Sequence, residues 1–127
     1  MNQSKPMVSG LERLDSLEYP VIMISGYFEE KLANGLATMV EGLLLEGKTD
    51  LVIDLGNCVA INSLAIGTLQ SLTMKIEDFR GTLVLSKIST AMERVFELAF
   101  ITPFAQVAPD VTGAISLLKE LLATSNP

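Results

Sequence analysis

Leu51 to Leu55 reads LVIDL, a short and almost wholly apolar run whose one charge is Asp54. A run of that kind forms an interior strand, which needs cover on both faces. The neighbouring segments supply it. Glu29 to Glu46 predicts a helix with Leu32, Leu36, Met39, Val40, Leu43 and Leu44 on one face, acids at its start and Gly47 placed to end it. After a predicted loop from Gly56 to Asn62, Ser63 to Phe79 sets Ala65, Leu69, Leu72, Ile76 and Phe79 at spacings of four, three, four and three. That is the period of a helix lying on a sheet, with Gly67 letting it lie close.

The same alternation continues on either side. Met7 to Leu14 and Pro20 to Ser25 predict two strands, and the short polar connection holding Asp15, Ser16 and Glu18 suits an antiparallel pair. Gly81 to Ser86 predicts a strand leading to Thr90 to Glu93, a capping-box pattern that opens a third helix, broken by Pro103. Phe104 to Val107 predicts a last strand. Asp110 then opens a helix with Ile115, Leu118, Leu121 and Leu122 turned inward. The order predicts an α/β fold: one domain over residues 1–127, built as a mixed sheet of about five strands with right-handed crossovers, covered by about four helices. In such sheets sites gather beyond the carboxyl ends of the strands, which directs attention to the segment between Leu55 and Ser63.

Composition narrows the chemistry. Of the 127 residues 49% are hydrophobic, and the net charge is -6. That describes a core-rich globular chain whose surface repels phosphate backbones, so no nucleic-acid partner is expected. Histidine is absent, which excludes Ser-His-Asp and Cys-His nucleophile pairs, histidine phosphotransfer and imidazole zinc sites. The single cysteine, Cys58, forms neither an internal disulfide nor a cysteine-rich metal site. It lacks a basic sequence neighbour and reads as a small, buried apolar residue. No Gly-x-x-x-x-Gly-Lys-Ser/Thr loop occurs. No stretch reaches the roughly 18 apolar residues of a membrane span, and Met1 to Gly10 lacks the apolar centre of a signal peptide. The expectation is a cytoplasmic protein without membrane insertion, catalytic residues, metal or cofactor.

The stretch Leu51 to Leu72, LVIDLGNCVAINSLAIGTLQSL, resembles the central motif of STAS domains, in particular the bacterial anti-sigma factor antagonists. Those sequences run from an apolar strand ending in Asp-Leu through a short loop to Asp-Ser-Ser/Thr-Gly at a helix start. SGYFEE, Ser25 to Glu30, is similar to the family's Gly-containing turn after its second strand. VLSKISTAMERVFELAFITPF, Val84 to Phe104, is similar to its fourth strand and third helix. The chain departs from the motif at three positions: Asn62 stands where the family has Asp, Leu64 where it has a second hydroxyl residue, and Ala65 where it has Gly.

The resemblance implies a non-enzymatic binding module that captures an anti-sigma factor and so releases a sigma factor. In the family, an anti-sigma factor serine kinase phosphorylates the serine after the motif Asp, and a metal-dependent serine phosphatase reverses the step. By position that serine is Ser63. The implied partner surface comprises the segment Asn57 to Asn62, the helix start with Ser63 and Leu64, and a turn at Gly26 to Glu29. Ser63 admits two local readings: an N-cap in its own right, or the first helical residue with an exposed hydroxyl behind an Asn62 cap. Asp54 reads as a loop-orienting hydrogen-bond acceptor. A constitutive STAS scaffold subunit of a transporter or signalling assembly is the alternative within the same fold.

Overall fold

The structure, a computed structural model, describes residues 9–15, 18–99, 101 and 104–124. In chain order the elements are β1 (Leu11–Leu14), β2 (Val21–Phe28), α1 (Glu30–Leu45), β3 (Asp50–Ile61), α2 (Ser63–Asp78), β4 (Thr82–Ser86), α3 (Thr90–Leu98), β5 (Gln106–Ala108) and α4 (Val111–Thr124). Met7, at the start of the first expected strand, and Pro103 lie outside the described residues. The strands form one sheet in the order β1-β2-β3-β4-β5. β1 pairs antiparallel with β2, as its short connection requires. β2, β3, β4 and β5 run parallel, each joined to the next through a helix.

Alternation along the strands builds two cores. Register sets Ile22 beside Ile53 and Ile53 beside Leu85, and this row faces α1, α2 and α3 through Leu36, Val40, Leu43, Leu69, Leu72, Ile76 and Phe96. One residue along, Val21, Val52 and Val84 form the opposite row and pack with Ala108 against Ala114 and Leu118 of α4. LVIDL is therefore covered on both sides, which explains why it carries so little polarity.

Several boundaries differ from expectation. The loop expected from Gly56 to Asn62 is mostly strand: β3 continues to Ile61 alongside β2, which itself runs past Ser25 to Phe28. Gly26 therefore lies within a strand rather than a turn, although its φ of +90° is one that a side chain disfavours. α3 is capped by Ser89, whose Oγ accepts the Met92 N–H at 3.1 Å, so Thr90 is already helical and its capping box does not form. The last strand is Gln106–Ala108, leaving Phe104 outside it. Phe79 caps the C-terminus of α2 and is exposed instead of joining its buried stripe. Gly67 faces open space; Ala65 and Leu69 make the close approach to the sheet.

Candidate functional site

The upper half of β3 is shaped by two irregularities. Pairing passes from Met23 with Asp54 to Ser25 with Asn57, and again from Gly26 with Cys58 to Tyr27 with Ala60. Each shift leaves one more residue on β3 than on β2, the signature of a β-bulge. At the first, the buried carboxylate of Asp54 accepts the Gly56 N–H through Oδ1 at 2.9 Å and the Ser86 hydroxyl through Oδ2 at 2.7 Å. A Cβ at residue 56 would lie 2.7 Å from Lys87 Cδ and 3.1 Å from Asp54 Oδ1, so glycine is the residue that fits. Lys87 itself holds a φ of 57°, and its stem lies over the glycine. Asp54 thus orients backbone, as its sequence context suggested, but from within a strand.

At the second bulge Cys58 Sγ donates to the Ala60 carbonyl at 3.3 Å. Burial pushes the Cys58 thiol above its ordinary pKa, against smaller opposing effects of hydrogen bonds with the Ala60 and Phe28 backbone. Val59, between them, is turned out to 78% exposure. Tyr27 on β2, 52% exposed, pairs in register with Ala60. Neither Val59 nor Tyr27 was singled out from sequence. The signal for Val59 was present: Cys58, Val59, Ala60 and Ile61 form an apolar, partly β-branched run, which favours strand over loop.

Asn62 joins β3 to α2. Its N–H donates to the Phe28 carbonyl at 3.1 Å, and its carbonyl accepts the Ile66 N–H at 3.0 Å. Its Oδ1 accepts the Ala65 N–H at 2.9 Å, so Asn62 is the N-cap. Of the two readings of Ser63, the structure selects the first helical residue: Ser63 is exposed, and among the described residues its hydroxyl makes no hydrogen bond. Leu64 beside it is 46% exposed. α2 has no acidic residue in its first turn, whereas α1 starts with Glu29 as N-cap, accepting the Lys31 N–H at 2.6 Å, followed by Glu30. The positive end of the α2 dipole is thus uncompensated by any acid of its own first turn.

The expected site residues fall on one edge of the molecule, along the carboxyl ends of β2 and β3 and the start of α2. Asn57 is exposed and opposite Ser25, and Gly26 is opposite Cys58 within the ladder. Gly26 has no side chain to offer a partner, so its contribution is to backbone path. Among the described residues no group of three or more His, Cys, Asp or Glu side chains is placed to hold a metal ion, and no helix is long and apolar enough to cross a membrane.

The sequence of residues 11–114 matches the family model of the STAS domain. The chain belongs to the STAS domain family. No curated protein matches it in sequence. Among solved structures, a putative anti-sigma factor antagonist from Thermotoga maritima superposes with a TM-score of 0.76 at 15% identity, covering 86% of this chain and 94% of its own. The Bacillus cell fate determinant SpoIIAA in its phosphorylated form gives 0.70 at 17% identity over 85% of this chain and 98% of its own. The murine anion transporter Slc26a9 gives 0.68 at 12% identity, over 80% of this STAS chain but 18% of the transporter. These are likenesses of fold.

Proposed function

We propose that this STAS chain is an anti-sigma factor antagonist, a cytoplasmic module that acts by binding rather than catalysis and is switched at Ser63. The observation that carries the reading is the division of labour at the start of α2: Asn62 performs the capping, so the Ser63 hydroxyl is exposed and unengaged among the described residues. An anti-sigma factor serine kinase can reach such a hydroxyl without unfolding the helix, and a serine phosphatase can reach the product.

A phosphate of about -1.5 to -2 charge placed there adds to a helix end that attracts anions. The fold tolerates it. The docking surface does not: Leu64 exposes apolar area next to Ser63, Val59 and Tyr27 expose more along the ends of β3 and β2, and bulk and charge added at Ser63 remove complementarity to the anti-sigma factor. Asn57, Asn62 and the backbone at Gly26 complete that surface.

The test is capture of the anti-sigma factor kinase by the unmodified chain, Ser63→Ala and Ser63→Asp, with mass spectrometry of Ser63 from cells under changing signals. Ser63→Ala is expected to retain capture and Ser63→Asp to weaken it by about tenfold or more. If both variants bind as the unmodified chain does and Ser63 never carries phosphate, the constitutive scaffold replaces the switch.

A further inference from the structure

Three leucines in succession close α1, and a helix cannot turn all of them inward. Successive residues are about 100° apart around the axis. Leu43 and Leu44 take the buried face, and Leu45 is left 82% exposed. The neighbouring α2 ends in the same way, with Phe79 exposed at its C-cap. Between these two ends lies an open groove of about 200 Å³ lined by Leu44, Leu45, Phe79, Glu41 and Lys75. It lies where α1 and α2 finish, remote along both helices from Ser63, which begins α2.

Size and charge together restrict what fits. The groove is smaller than the roughly 300 Å³ at which small-molecule pockets begin, which suits a protruding side chain better than a ligand. Its charged members are one cation and one anion, with Lys75 Nζ 3.0 Å from Glu41 Oε2 across the two helices. The chain as a whole carries -6, so copies of it repel one another, and an approach is least opposed where a face is locally neutral. A patch with one charge of each sign beside an apolar centre is complementary to itself under a twofold axis that crosses the line between the two charges, which sets the cation of one copy against the anion of the other.

We propose that this groove is the docking face for a second copy of the chain across a twofold axis. Leu45 of each copy enters the groove of the other beside Phe79, and Lys75 and Glu41 exchange their pairing between copies. Exposed ion pairs contribute little affinity, so the charges select the partner and the orientation, while burial of Leu45 and Phe79 drives a weak, reversible dimer. The dimer leaves the Ser63 edge of both copies open, and the inference stands independently of how Ser63 is used.

The experiment is sedimentation velocity of the full chain up to about 1 mM, the range in which a weak dimer populates. A monomer–dimer equilibrium is expected. Leu45→Lys, at a position too exposed to affect folding, should raise the dissociation constant about tenfold or more. Glu41→Lys alone and Lys75→Glu alone should each be monomeric, since each brings like charges together across the axis. Mixed in equal amounts they should form a heterodimer, because one copy then presents two carboxylates and the other two ammonium groups. That rescue is intermolecular: within each variant chain the two residues remain alike in charge. The proposal is overturned if the unsubstituted chain stays monomeric throughout, if the dimer persists unweakened in Leu45→Lys, or if the mixed variants fail to associate.

Discussion

Asp54 on β3 and Ser86 on β4 are register partners, and the carboxylate of one accepts the hydroxyl of the other at 2.7 Å in the interior of the sheet. The same carboxylate holds the Gly56 N–H of the first bulge. One side chain thus ties the top of β4 to the point where β3 leaves regular pairing on its way to Ser63. Its burial, at 3% exposure, makes the bond to Ser86 the consequential one, because that fully buried hydroxyl has no water to turn to when the carboxylate is removed, whereas Gly56 is exposed.

Asp54→Ala is accordingly expected to destabilise the chain by about 1–3 kcal/mol, the cost of leaving the buried Ser86 hydroxyl without its acceptor and the bulge without its tie to Gly56. Ser86→Ala should cost less, since Asp54 retains Gly56. Urea unfolding of both single variants and the double variant measures this, and non-additivity of about 0.5 kcal/mol or more is the expected sign of a direct interaction. Additive effects would show that the bond seen between them contributes nothing of its own.

The two neighbours Asn62 and Ser63 are predicted to separate cleanly in stability. Asn62→Ala removes the N-cap and should cost about 1 kcal/mol. Asn62→Asp keeps the cap and adds a charge that the dipole favours, so it should match or exceed the natural chain by about 0.3–1 kcal/mol at neutral pH. Ser63→Ala should stay within about 0.5 kcal/mol of the natural chain. Thermal and urea midpoints decide, and a Ser63→Ala loss as large as that of Asn62→Ala would return the capping role to the serine.

Cys58 is predicted to be a poor nucleophile. Desolvation raises its pKa in the folded chain, so at a given pH below that value the folded thiol holds less thiolate than the unfolded one. Alkylation by iodoacetamide at pH 8 should therefore be slower in buffer than in urea. The sign for stability follows: a raised folded pKa leaves this contribution fully present below the unfolded thiol value, and stability declines as pH rises past it toward the folded one. Equal alkylation rates in the two solvents would contradict the assignment.

The sequence by itself determined the layered α/β order, the interior placement of LVIDL and the apolar stripes of α1 and α2, because period and composition are local properties of a segment. It also marked Ser63 and Asn62 as the start of a helix, although not which of them caps it. The apolar run from Cys58 to Ile61 favours strand, but only tertiary structure decided that 57–61 pairs as one. The partner of that segment is Ser25 to Phe28, far away in sequence, and the two bulges that admit the pairing break the alternation by which a strand announces itself. For the same reason the outward turn of Tyr27 and Val59 could not be read beforehand, nor could Leu45 be placed beside Phe79. Which side chains end up exposed together is fixed by how elements meet, and that information resides in pairs of segments rather than in either one.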